Sequence, residues 1–220
     1  MIKPYFETKL GKLYNCDCLD IMKEVEDKSV DLVLTDPPYG INIAKTGRVG
    51  GEKCCPTTDY GKQEWDNNPM SEEEQGNCCR VSKNQIFFGG NYFNLPPSPC
   101  WLVWHKDNTG NFADCELAWT SFGSAVRYFR WRWNGMLQEP NHPKEKRYHP
   151  TQKPTQLFIW ILKNYSKENE LILDPFLGSG TTAIACEKLK RQWIGVEISE
   201  KYCEIAAKRI SLEASQGKLW

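Results

Sequence analysis

Leu171-Ile172-Leu173-Asp174-Pro175-Phe176-Leu177-Gly178-Ser179-Gly180-Thr181-Thr182 decides the fold. Three apolar residues form a buried strand that ends on an acid, two glycines make the following turn, and a helix begins at Thr181. The next apolar run, residues 192–197, ends on a second acid, Glu197, 19 positions beyond Gly178. In nucleotide-binding α/β units such a turn lets backbone approach a ligand, while an acid roughly 20 residues on accepts hydrogen bonds from ribose hydroxyls. Gly178-Ser179-Gly180-Thr181-Thr182-Ala183 lacks both a third glycine and a Lys-Ser/Thr pair, which disfavours a pyrophosphate and leaves an adenosine-containing ligand. An ordinary strand-turn-helix with a surface glutamate is the bland alternative.

Upstream, Val30-Asp31-Leu32-Val33-Leu34-Thr35 is a β-rich run that delivers Asp36 at its carboxyl end, where open α/β sheets bind ligands. Asp36-Pro37-Pro38-Tyr39 then sets a carboxylate, a backbone stiffened by two prolines and an aromatic tip side by side. A proline-rich turn is its plain reading; a hydrogen-bond acceptor with a stacking ring is its chemical one. Further strands are expected at residues 12–15, 85–88, 101–104, 116–122 and 125–131, and helices at 19–26, 181–190 and 200–213. Ser71 followed by Glu72, Glu73 and Glu74 predicts another helix start. Residues 42–70 hold scattered glycine and proline without periodicity and are expected to form a long loop. Alternating strands and helices predict an α/β fold with a mostly parallel sheet covered on both faces.

The 220 residues suit one domain, spanning 1–220. No apolar stretch is long enough for a membrane span and the start lacks a signal-peptide core, so a cytoplasmic protein is expected. The ten cysteines are expected to stay reduced, and Cys54-Cys55 and Cys78-Cys79 lack the spacing of a zinc site, so no metal is assigned. Lysine plus arginine balances aspartate plus glutamate at 28 each, yet residues 127–153 carry a local excess of five positive charges. Within them Arg127-Tyr128-Phe129-Arg130-Trp131-Arg132-Trp133 interleaves cations and aromatics, which suits either phosphate contact with base stacking or an amphipathic edge strand.

Taken in order, these segments resemble the amino-methylating DNA methyltransferases in the permuted arrangement called the beta class, over most of the chain. The resemblance implies a Rossmann-like fold dependent on S-adenosyl-L-methionine, with Asp36, Pro37, Pro38 and Tyr39 as the catalytic loop. It implies cofactor contacts from Asp17 and Cys18 near the adenine and from Asp36 and Lys153 near the methionine moiety. The glycine turn contributes Asp174, Phe176, Gly178, Ser179, Gly180 and Thr181, and Glu197 is the ribose acid. Double-stranded DNA would be held by Arg127, Arg130, Trp131, Arg132 and Trp133, in a small target-recognition region at about 123–148. Because the family's cytosine-amine enzymes more often begin the tetrapeptide with serine, N6 of adenine is the expected target and N4 of cytosine the alternative. A catalytically impaired DNA-binding relative is the rival outside catalysis. Pro99-Cys100-Trp101 lacks the glutamine that follows Pro-Cys in carbon-5 cytosine enzymes. A homodimer and a cognate restriction endonuclease are also among the family's implications.

Overall fold

The computed structural model describes residues 2–42, 48–49, 58–59, 67–107, 113–134, 137–149 and 151–216. In chain order come β1 (Phe6–Glu7), β2 (Gly11–Asn15), α1 (Cys18–Glu24), β3 (Val30–Thr35), β4 (Arg48–Val49), β5 (Thr58–Asp59), α2 (Glu72–Val81) and β6 (Ser82–Phe88). A 3-10 turn (Gly90–Tyr92) leads to β7 (Trp101–His105), β8 (Cys115–Thr120), β9 (Arg127–Arg130), β10 (Trp133–Asn134) and β11 (Leu137–Gln138). The chain closes with α3 (Thr155–Tyr165), β12 (Leu171–Asp174), α4 (Thr181–Leu189), β13 (Gln192–Glu197) and α5 (Glu200–Gln216).

Nine of these strands form one sheet in the order β1-β2-β13-β12-β3-β6-β8-β7-β9. From β2 to β6 every neighbour is parallel, so the carboxyl ends of five strands share one edge. β8 runs antiparallel between β6 and β7, which brings the start of β8 to that same edge. The permutation is visible in the order: β12 and β13, last in the chain, are inserted between β2 and β3. β4 pairs β5 and β10 pairs β11 in two small antiparallel ribbons. Most of the expected loop at 42–70, including Cys54 and Cys55, lies outside the described residues.

Side-chain alternation builds two cores. Leu32, Leu34, Ile86, Phe88 and Ile172 point to one face, where α3, α4 and α5 cover them with Leu157, Ile161, Ala183 and Ile210. Val30, Val33, Phe87, Leu173 and Val196 point to the other, against Ile21, Met22, Cys78 and Val81 of α1 and α2. Helix α2 starts where the sequence predicts, with Ser71 and Glu74 forming a reciprocal capping box, and Asp17 caps α1, which begins one residue before the expected start.

Helix α3 is the element that periodicity did not reveal. Its Leu157-Phe158-Ile159-Trp160-Ile161-Leu162 run is apolar at consecutive positions, which masks a 3.6-residue repeat whose exposed polar positions are confined to Gln156, Lys163 and Asn164. It is nonetheless central, with Ile161 and Leu162 fully buried. Ile161→Ala should therefore cost about 2–5 kcal/mol in urea denaturation, the range for a truncated buried aliphatic side chain; a loss under about 0.5 kcal/mol would mean that α3 is not packed as described.

Candidate active site

The crossovers define where a ligand can sit. From β12 the chain passes through α4 to β13 on one side, and from β3 through α2 to β6 on the other, so the winding reverses between β12 and β3. A crevice at the carboxyl edge follows from that reversal. Asp174 ends β12 within it, but its carboxylate faces inward. It accepts from Thr35 Oγ1 at 2.6 Å, Thr182 Oγ1 at 2.5 Å and the Phe176 amide at 3.1 Å. Burial pushes this carboxyl up to about 6 in spite of those donors.

The glycine turn is held against β13. Gly178 and Gly180 have φ of 55° and 90°, conformations that glycine adopts without a Cβ penalty. The Gly178 amide donates to Glu197 Oε2 and the Ser199 amide to Oε1, both at 2.8 Å, which leaves each oxygen a lone pair for a further donor. Burial pushes the Glu197 carboxyl upward. Asn15 Nδ2 ties the end of β2 to the carbonyls of Glu197 and Ile198 at 2.9 and 3.0 Å, bringing exposed Asp17 to the same edge. Cys18 points into the helix layer toward Glu74, with its sulfur 3.7 Å from Oε1. Ser179 and Thr181 are buried; Ser179 Oγ donates to Gln152 Oε1 at 3.2 Å and accepts from Arg209 at 2.9 Å. Phe176 stays partly exposed beside the turn. Carboxylates at a glycine turn with no lysine or arginine in it suit hydroxyl donors and a cationic ligand better than a phosphate.

Beside this, on β3, stands the tetrapeptide. Pro37 is buried and the Pro38 carbonyl accepts from the Met70 amide at 3.0 Å, anchoring the loop. The Tyr39 ring stacks on Tyr92 with centroids 5.1 Å apart and meets Phe93 edge-on at 6.2 Å. Gly89, at φ 66°, makes room: a Cβ there would lie 2.2 Å from the Tyr39 ring. The Tyr39 hydroxyl donates to Asp36 Oδ1 at 2.5 Å. Lys153, nearly fully buried before α3, places its ammonium on the same Asp36 oxygen and 3.1 Å from the Tyr39 hydroxyl. Burial pushes the Asp36 carboxyl up although Lys153 opposes it.

Two residues of this cluster were not expected. Glu116, at the start of β8, lies with Oε2 3.2 Å from the Lys153 ammonium, and its other oxygen pairs with Lys106 after β7. Burial would raise Glu116, but the two lysines hold its carboxyl below the usual range. Only the direction of β8 brings Glu116 to the carboxyl edge, and its composition carries no sign of that direction.

The aromatic-basic segment also reaches this edge. β9 pairs parallel with β7 as the sheet's outer strand. Arg130 bonds Asp107 at 2.6 Å, Arg132 bonds the same carboxylate through Nε at 2.8 Å, and Arg130 also approaches Glu139 at 3.6 Å. Trp133 is buried with its indole donating to the Gln152 carbonyl at 2.9 Å, and Trp131 stacks on Phe129 and meets His142 edge-on. Arg127 stands exposed. Asp107 and Glu139 thus offset the charge of Arg130 and Arg132.

Residues 97–208 match the model of the N6/N4 DNA methylase family. The chain belongs to the DNA methylase family. It is 28% identical over 252 residues to the Type II methyltransferase M2.MboI of Moraxella bovis, covering 94% of this chain and 91% of that protein. It is 25% identical to M2.LlaDCHI of Lactococcus lactis subsp. cremoris, covering 99% and 95%. Among solved structures it resembles the M1.HpyAVI-SAM complex, with a TM-score of 0.56, 23% identity and coverage of 90% and 99%. It likewise resembles the PvuII DNA methyltransferase (cytosine-N4-specific), with a TM-score of 0.58, 15% identity and coverage of 98% and 95%. At these identities the structures speak for the fold, which is the α/β methyltransferase architecture expected from the sequence.

The methylase also holds half-buried His149 beside this site, its ring 4.5 Å from that of Tyr202 and Nδ1 3.0 Å from Thr151 Oγ1. Burial, with the Lys153 charge, holds its pKa down at about 3. A base depressed in the fold takes up its proton only on unfolding, so stability is full above the unfolded value near 6.5 and is lost as pH falls toward 3. Between pH 6.5 and 5 the wild-type protein should lose about 2 kcal/mol that His149→Gln does not lose. Parallel urea-stability curves for the two proteins across that interval would contradict the burial of a neutral ring.

Proposed function

We propose that this methylase transfers a methyl group from S-adenosyl-L-methionine to the exocyclic N6 amine of adenine at a short site in double-stranded DNA. The observation that carries the reading is the position of Asp36: it ends β3, the strand adjoining the glycine turn of β12, so an amine acceptor and a nucleoside cradle share one crevice. The cofactor, when bound, supplies an electrophilic methyl group on a sulfonium. Glu197 and the Gly178 turn hold the ribose, and Asp17 lies toward the adenine. Asp36 and the Pro37 carbonyl accept hydrogen bonds from the target amine and orient its lone pair. Tyr39 leaves Tyr92 to stack on a base taken out of the duplex. Transfer is direct, since buried Cys100 precedes β7 at the opposite edge of the sheet and offers no nucleophile there.

The choice of adenine rests on aspartate as the first residue of the tetrapeptide. Family resemblance extends the reading to a cytoplasmic location, a cognate restriction endonuclease and a homodimer; among the described residues no helix is long and apolar enough to cross a membrane. DNA incubated with the protein and methyl-labelled cofactor, then digested to nucleosides, should contain N6-methyladenine, and N4-methylcytosine alone would overturn the base assignment. Asp36→Ala should lower turnover about 100-fold or more while retaining cofactor binding, and wild-type turnover in that variant would remove Asp36 from catalysis.

A further inference from the structure

A buried ammonium needs an anionic partner, and Lys153 has two. One is Asp36, the proposed acceptor for the target amine, and the other is Glu116. With Asp36 alone available, the ammonium would claim the carboxylate oxygen permanently, and a neutral amine would have to compete with a full positive charge for it. Glu116 removes that conflict. Its Oε2 is buried without a well-aligned hydrogen bond, so it has acceptor capacity to spare within 3.2 Å of the ammonium. Its other oxygen is satisfied by Lys106. The four groups Lys106, Glu116, Lys153 and Asp36 balance to zero charge, so shifting the lysine between its two carboxylates moves no net charge into or out of the crevice.

We infer that Glu116 is a positioning residue of the transfer reaction: it takes up the Lys153 ammonium as the target base arrives, freeing an Asp36 oxygen for the amine. The inference rests on the proposed function of Asp36 and deepens it. On the tetrapeptide side, Tyr39 gives up its own bond to Asp36 when it turns to the base, so both occupants of Oδ1 leave together. Lys153 is retained because it keeps Asp36 ionised against burial, while Glu116 gives it a place to stand clear. The other titratable groups around Asp36 are Asp174 at the end of β12, Tyr92 of the 3-10 turn and His149 beside Lys153. Asp174 is tied to its three donors, and neutral His149 contributes no charge.

The test is the pH dependence of kcat for the wild-type protein, Glu116→Gln and Lys153→Met, with circular dichroism confirming that each variant is folded and cofactor affinity measured beside it. Glu116→Gln strips Asp36 of a neighbouring negative charge and leaves the lysine on it, so its acid limb should move to lower pH while kcat falls on the order of tenfold or more. Lys153→Met leaves Asp36 to burial and to the Glu116 charge, both of which favour its protonated form, so its acid limb should move to higher pH. A merely structural role for Glu116 would move the limbs through charge alone and leave the plateau kcat unchanged, so the loss of kcat at unchanged cofactor affinity is the readout that it does not predict. Glu116→Asp keeps the charge but withdraws it by one methylene, so it should hold the wild-type limb with an intermediate kcat. It also decides the matter should the glutamine variant fail to fold, because wild-type kcat in it would overturn the inference. Limbs that coincide, or that move the same way in Glu116→Gln and Lys153→Met, overturn it equally. A wild-type protein inactive on DNA at every pH would instead sink the proposed function.

Discussion

The hydrogen bond from Thr35 Oγ1 to Asp174 Oδ1 fastens the two strands between which the sheet reverses its winding. Both groups are almost wholly removed from water, so the acceptor cannot be left without its donors except at a cost of about 1–3 kcal/mol each. The same carboxylate takes the Thr182 hydroxyl at the start of α4 and the Phe176 amide in the turn. One inward-facing acid thus sets the spacing between the end of β3 and the glycine turn. Asp36 follows Thr35 and Gly178 follows Phe176 by two residues, so the proposed amine acceptor and the proposed nucleoside cradle are both hung from this point. Asp174 therefore acts by shaping the crevice, whereas Glu197 keeps lone pairs directed into it.

The parts of this arrangement governed by local chemistry are legible in the sequence. Ser71 with Glu74 marks the start of α2, the nearly continuous apolar run before Asp36 marks β3, and Gly178 to Glu197 has the spacing of a strand-turn-helix-strand unit. What the sequence hides depends on partners far away in the chain. Helix α3 is disguised by its continuous apolar run, in which half-buried Ile159 and Trp160 fill positions that a polar residue would mark on a surface helix. Glu116 is an unremarkable acid in an apolar strand until β8 is known to run against its neighbours. Lys153, expected near the methionine moiety, has its ammonium on Asp36 and Glu116, a pairing that spans separate segments of the chain.

Charge in this protein is arranged in pairs rather than displayed as a field. The chain is neutral overall, and the basic stretch near β9 is partly matched by Asp107 and Glu139. Glu145 receives the Thr155 amide and hydroxyl at the start of α3 and pairs with Arg209 of α5. Arg209 in turn donates to the Ser179 carbonyl at 2.6 Å in the glycine turn. The segment proposed for target recognition is therefore built onto the frame that shapes the glycine turn. On the proposed function, DNA would draw its cations from these pairs and from exposed residues such as Arg127, Lys144 and Lys146, and its affinity would depend strongly on salt.

On the proposed function, nucleoside cradle and amine acceptor form one crevice at the carboxyl edge between β12 and β3. Photolabelling the protein with radiolabelled S-adenosyl-L-methionine and mapping the labelled peptides tests it most directly. The account predicts label in peptides carrying Asp17, Asp36 to Tyr39, Phe176 to Gly180 or Glu197, and label at the opposite edge, around Cys100 or the end of α3, would contradict it.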